Sequence, residues 1–154
     1  MRTDESSGHS ALDTLAREGV TLEMLVECGA ALYVPCEGVD DGKTAREIRE
    51  RLGDLIRRRC GDPNVFLLVE AASHLDGQIR EGRWGLRGDP ESVVCDELLG
   101  ICIAEYIGGK KALFNFARYD REKPGVLSQL GVFMDDAAGG LVAGCMTRLF
   151  EDWG

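Results

Sequence analysis

The sequence predicts an all-α fold, a compact single-domain bundle of several helices, two of which are buried and acid-bearing. Three observations point that way. Apolar residues recur at three- and four-residue spacing along most of the chain, and no segment keeps the period-two alternation of a half-buried strand. Helix-start signals recur as well, in the form of capping residues and prolines at first helical positions. Finally, 154 residues with 44% apolar, 29% charged and 6% aromatic content is ordinary usage for one globular domain. That composition excludes collagen-like, mostly disordered and disulfide-scaffold classes.

Residues 1–10 contain no large apolar side chain beyond Met1 and are expected to form a disordered tail, leaving 11–154 as the domain. Thr21 can cap a helix reaching Tyr33, with Leu22, Leu25, Val26 and Leu32 on or near one face and Pro35 as its stop. Thr44 and Glu47 spell a capping box that opens a helix to Arg59 with the stripe Ile48, Leu52, Leu55 and Ile56. Asp62-Pro63 starts a third, through Phe66, Leu67, Leu68, Ala71 and Leu75. Glycines at 77, 82, 85 and 88 then suggest a loop. Asp89-Pro90 repeats the cap-and-proline device before the most apolar helix, Glu91 to Ile107, which Gly108-Gly109 closes. A shorter helix over Lys111 to Tyr119, a turn at Lys123-Pro124-Gly125 and a last helix from Met134 to Phe150 complete the order.

A formal charge of −9 disfavours nucleic-acid binding, which rests on Lys and Arg neutralising phosphates, and leaves carboxylates available for a cation. Six cysteines without a C-x-x-C pair, and only His9 and His74, exclude zinc-ligand spacing. The cysteines read as small core hydrophobes with reduced thiols, Cys95 falling beside an acid pair. No apolar signal region opens the chain, and the longest uncharged stretch, Ala137 to Thr147, is about half of the ~20 residues a membrane span needs. The expectation is a cytoplasmic protein with no transmembrane segment; the sequence leaves its oligomeric state open, a homo-oligomer included.

Two acid pairs stand where charge is expensive. Asp96-Glu97 is expected at the centre of a helix with almost no polar face, and Asp135-Asp136 interrupts another, between Val132-Phe133-Met134 and Ala137-Ala138. Unpaired buried carboxylates neutralise rather than stay charged. A helix dipole offers only about 0.3–1 kcal/mol to each acid of a first turn. A divalent cation, Mg²⁺ or Mn²⁺, resolves the conflict, because all-oxygen sites suit hard metals. Gly100, Gly139, Gly140 and Gly144 would let the two helices cross closely enough for their acids to meet. The bland alternative is a solvated face or an N-cap. Glu70 and Glu105 read as surface or paired acids, His74 as structural, Met134 and Met146 as core, and Tyr33, Pro35 and Trp84 as pocket lining or packing. Between the acid pairs, Arg118, Asp120 and Lys123 read equally as a solvated helix end or as a phosphate clamp.

Three motifs in fixed order carry a resemblance. Asp89-Pro90 with Val94-Cys95-Asp96-Glu97-Leu98-Leu99-Gly100, then Phe114, Phe116, Arg118, Asp120 and Lys123-Pro124, then Leu130-Gly131, Met134-Asp135-Asp136 and Gly140, resemble the phosphatidylglycerophosphatase A family over residues 89–150. The first half, with Ala31-Leu32-Tyr33-Val34-Pro35, looks like its short soluble archaeal branch, often described as α-ribazole-5′-phosphate phosphatase. The resemblance implies an all-helical, Mg²⁺-dependent phosphomonoesterase with Asp96, Glu97, Asp135 and Asp136 as essential acids. Asp96 or Asp135 is then the expected base, all four acids hold metal, and Arg118, Lys123 and Asp120 bind the substrate phosphate. Members acting on lipid carry long hydrophobic segments that this chain lacks, which favours a soluble ester, such as α-ribazole 5′-phosphate in cobalamin synthesis. The alternatives are phosphatidylglycerophosphate or an archaeal ether-lipid counterpart, and a non-catalytic cation-binding module.

Overall fold

The computed structural model describes residues 8–86 and 91–153 and contains seven α-helices and no strand among them. Helix α1 (Ala11–Arg17), which the hydrophobic pattern did not reveal, starts at a Ser10–Asp13 capping box. Ser10 therefore belongs to the fold and not to a tail, while residues 1–7 lie outside the described residues. Thr21 caps α2 (Leu22–Ala31), and Thr44 with Glu47 caps α3 (Ala45–Cys60) by the expected reciprocal pair. Asp62 and Pro63 open α4 (Pro63–Arg80), which runs on through Gly77, so the expected loop begins only after it. Its described part, 81–86, holds a short 3-10 turn in which Trp84 takes a left-handed φ of 62°.

Helix α5 (Cys95–Gly108) corrects the sequence reading in two respects. It begins at the N-cap Val94, so Asp96 and Glu97 occupy its first turn and not its centre. The expected Asp89-Pro90 start lies outside the described residues. Nor is the helix buried on all sides: Val94 and Leu98 are each 55% exposed, and Cys102 and Tyr106 also face outward. Helix α6 (Ala112–Glu122) and a 3-10 turn at Gly125–Gln129 lead into α7 (Val132–Trp153), longer than expected at both ends.

Helix α7 is the axis of the bundle. Phe133, Met134, Asp136 and every residue from Ala137 to Thr147 are buried, which requires neighbours on all sides, and α2, α3, α4, α5 and α6 supply them. Its closest partner is α5. A Cβ on Gly140 would overlap the Gly100 carbonyl, and one on Gly100 would come within 2.6 Å of the Asp136 carbonyl and the Phe116 ring. Gly144 is equally constrained, its Cβ position lying 2.7 Å from Ile107. The close crossing thus rests on Gly100, Gly140 and Gly144. Gly139 takes no part, its nearest neighbour being 4.0 Å away. No helix among the described residues is long and apolar enough to cross a membrane.

Candidate functional site

The close crossing of α5 and α7 carries the first turns of both helices with it. The Asp136 carboxyl lies within hydrogen-bonding reach of those of Asp96, in the first turn of α5, and Asp120, near the end of α6. Asp120 follows Tyr119, whose buried hydroxyl donates to the Gly29 carbonyl at 2.8 Å and so pins α6 against α2. The chain then leaves α6 at Lys123 in the left-handed region (φ 43°, ψ 58°), a conformation rare for a long side chain and one that clusters at functional sites. That turn brings the Lys123 Nζ to 2.5 Å from Asp135 Oδ2 and 3.3 Å from Asp120 Oδ1. Asp96, Asp120, Asp135, Asp136 and Lys123 therefore form one cluster, drawn from α5, α6 and α7.

Electrostatically the cluster is overloaded with acid. Burial pushes the Asp135 carboxyl up to about 6, against the opposing pull of Lys123. Asp136 is pushed to about 10 by burial first, then by the hydrogen-bonding carboxyl of Asp120, the charge of Asp135 and the carboxyl of Asp96. Carboxyls crowded this closely favour retaining a proton among them, and the push is greatest at Asp136. Even so, Asp96 Oδ1, Asp135 Oδ1 and Asp136 Oδ1 are buried without a hydrogen-bond partner. Native interiors rarely leave such atoms unsatisfied without reason. Three orphaned carboxylate oxygens are the donor chemistry of a hard divalent cation. Among the described residues, no three His, Cys, Asp or Glu side chains are placed to hold a metal ion as they stand.

The other expected site residues separate from this group. Glu97, on the same turn as Asp96, is exposed. Arg118 donates from Nη2 to the Leu32 carbonyl at 2.6 Å and from Nη1 to Asn115 at 3.3 Å, bracing α6 against the end of α2. Glu70 accepts from Thr14 and Arg17, while Glu105 and His74 are exposed. The cysteines divide: Cys28, Cys60 and Cys145 are buried as expected, but Cys36, Cys95 and Cys102 are exposed. Their uncharged side chains gave no means of telling the two groups apart. Tyr33 and Pro35 line a cavity of about 490 Å³ beside Asp40 and Ile48, with Tyr33 stacked on Phe150 at 5.8 Å. Trp84 is 63% exposed.

One residue of the site escaped the sequence reading. Asp76 of α4 is 3% exposed and accepts from the backbone N–H of Phe133 at 2.9 Å and of Met134 at 2.8 Å. Its signal was present in the sequence. Asp76 shares the 4-3-4 spacing of Val65, Val69 and Ala72, and an acid on the buried stripe of a helix needs a partner.

The family model for phosphatidylglycerophosphatase A matches residues 66–151, which include every member of the cluster. An uncharacterised protein of Methanocaldococcus jannaschii, MJ1330, is 36% identical over 132 residues, covering 82% of this chain and all of that protein. Among solved structures, the low temperature requirement C protein of Listeria monocytogenes superimposes with a TM-score of 0.75 at 21% identity, over 93% of this chain and 94% of that one. A Bacillus stearothermophilus protein of unknown function follows at 0.74 and 24% identity, over 94% and 93%. Protein ypjQ of Bacillus subtilis gives 0.71 at 20% identity, over 92% and 91%. These three likenesses establish a shared fold.

Proposed function

The chain belongs to the phosphatidylglycerophosphatase A family, a family of phosphatases, and from that premise we propose that it is a Mg²⁺-dependent phosphomonoester hydrolase working at the acid cluster. The observation that carries the reading is the set of three buried, partnerless oxygens on Asp96, Asp135 and Asp136. Those acids, with Asp120 beside them, would hold the cation, Mg²⁺ or Mn²⁺. Glu97 is the candidate ligand that must swing inward from an exposed position. When bound, the cation offsets the carboxylate charge and polarises the phosphoryl oxygens.

The chain's own groups supply the rest. Asp135, beside Lys123, and Asp96, with its free oxygen, are the two acids placed to take a proton from an attacking water. Lys123 orients Asp135 and presents a positive charge at the same point, suited to a phosphoryl oxygen in transit. Arg118 joins it as a phosphate ligand by exchanging its Asn115 contact while the Leu32 bond holds its stem.

For the substrate we favour a small soluble monoester, α-ribazole 5′-phosphate, in keeping with described helices of which none is long and apolar enough to cross a membrane. The family's name favours a second reading, a phosphatidylglycerophosphate or ether-lipid counterpart. A panel of α-ribazole 5′-phosphate, lipid glycerophosphates in vesicles and nucleotide monophosphates, assayed with Mg²⁺ and with excess chelator, tests both. Chelator-sensitive turnover of α-ribazole 5′-phosphate without lipid is the expected result. Turnover confined to vesicle-borne lipid would replace the soluble ester with the lipid. Absence of phosphate release from all of them, with a Mg²⁺-dependent rise in Tm, would leave only a cation-binding module.

A further inference from the structure

We propose that Asp76 is a positioning residue for the acid cluster, acting from α4 on the first turn of α7. Its catalytic consequence rests on the phosphatase reading; its structural action does not. The first amides of any helix lack intrahelical acceptors, and a side chain at the helix's own N-cap normally serves them. Ahead of α7 stands Gly131, which has no side chain to offer. The acceptors come instead from another helix, with Asp76 Oδ1 on Phe133 N–H and Oδ2 on Met134 N–H. The next two residues are Asp135 and Asp136.

Gly131 is part of the same device. A Cβ there would overlap the Asp76 carboxyl, so the glycine clears the path by which α4 reaches the end of α7. The pairing serves α7 in two ways. A carboxylate opposite the amide end of the helix meets its positive partial charge. Two bonds to successive amides also fix the rotation of the first turn, and with it the direction from which Asp135 meets Lys123. The charged groups that line the same recess as Asp76 are Glu18 and Arg80. Asp76 touches none of the reacting groups and acts through α7.

The test uses the full chain with Asp76→Asn and Gly131→Ala, made singly and together, and Ser10→Ala as a control that removes the cap of α1. Loss of a supporting partner of this kind costs 10–100-fold in activity, so each site variant is expected to lower kcat by about that factor while KM moves less than about threefold. The amides of Phe133 and Met134 should exchange with solvent at least about tenfold faster, reporting the freed turn. Because both substitutions break one pairing, the double variant should be no worse than the more severe single one. Ser10→Ala should lower Tm and leave kcat alone. Wild-type kcat in both single variants, or wild-type exchange at Phe133 and Met134, would overturn the proposal. Should Asp76→Asn fail to fold, Gly131→Ala decides, since it displaces the carboxylate without removing it. If the wild-type protein hydrolyses no monoester, the phosphatase reading falls, and the amide exchange alone still decides the positioning.

Discussion

Along α7, residues 132–136 and residues 137–149 are nearly equally buried, but different physics stabilises them. The later stretch is apolar and tightly packed, with Leu141, Val142, Met146 and Leu149 in the core and Gly140 and Gly144 against α5. The first turn has carboxylates where the later stretch has methyl groups, and it needs Asp76, Lys123 and a shared proton to stay in place. The packed stretch gains stability from every contact. The acid turn is a local cost that the packed stretch offsets, as expected where strain is kept for function. Four changes would break or sharpen that division.

The largest effect is expected from the acids themselves. Asp96→Asn and Asp135→Asn each remove a charge and an orphaned oxygen, and should lower phosphate release by about 10³-fold or more, roughly 4 kcal/mol of transition-state stabilisation. The proteins should stay folded, and in chelator their Tm should match or exceed that of the wild type, because like charges in a buried cluster repel. Calorimetry and initial rates measure both quantities. Wild-type turnover in either variant would remove that acid from the mechanism. A drop in Tm would mean that the turn stabilises the fold after all.

In the packed stretch the signs reverse. Gly140→Ala puts a methyl group into the Gly100 carbonyl and should cost about 1–3 kcal/mol, moving the cluster as α5 is pushed away. Gly139→Ala, one residue earlier and with no neighbour closer than 4.0 Å, should instead stabilise by about 0.5–1 kcal/mol through helix propensity. Denaturant unfolding of the pair checks the contrast. Equal effects would show that the close crossing does not depend on a bare Gly140.

The same contrast explains what the sequence made legible. The all-helical class and the capped starts at Thr21, Thr44 and Asp62 follow from local chemistry that neighbours do not override. Asp135 and Asp136 stood out because they interrupt an apolar run, and the glycines opposite them gave the crossing. The extent of α5 was misread because Val93 and Val94 continue the apolar pattern into a segment that is not helical. Glu97 was grouped with Asp96 by adjacency, yet neighbours on a helix point about 100° apart, and only one of the two faces the cluster. Lys123 reaches Asp135 through a left-handed turn, which no local preference announces. Asp76 is marked by its place on the buried stripe of α4, but its partners lie 57 and 58 residues away and no local pattern names them.

A smaller effect is expected at Arg118. Its guanidinium is braced by Leu32 and Asn115, outside the acid cluster, so Arg118→Ala should leave the acids in place and mainly raise KM. The size should be on the order of tenfold, the worth of one charge-assisted hydrogen bond. Steady-state kinetics separate the outcomes. Unchanged KM and kcat would make Arg118 a brace alone.

The smallest effect is a slope. Burial and the neighbouring carboxyls push Asp136 up to about 10, whereas the ordinary Asp value is 3.8. Its folded-state value is thus raised, so the native state binds a proton that the unfolded chain has already released, and stability must fall as pH rises through that window. Between about pH 7 and about pH 8.5, ordinary carboxylates have finished titrating and lysines have not begun, and the thiols and α-amino group that do titrate there are common to wild type and variant. Asp135, raised only to about 6, has also lost its proton by then. A full proton difference would give about 1.4 kcal/mol per pH unit; relaxation of the neighbouring carboxyls should reduce this to a few tenths. In chelator, the wild type should therefore lose stability over this interval faster than Asp136→Asn, in which no proton is at stake. His9 and His74 are common to both proteins and cancel in the difference. Mg²⁺ should flatten the wild-type slope, since a bound cation takes the place of the proton, and should do less to Asp136→Asn. Parallel slopes in chelator would show that Asp136 is ionised in the folded protein and that the cluster keeps no proton for a cation to displace.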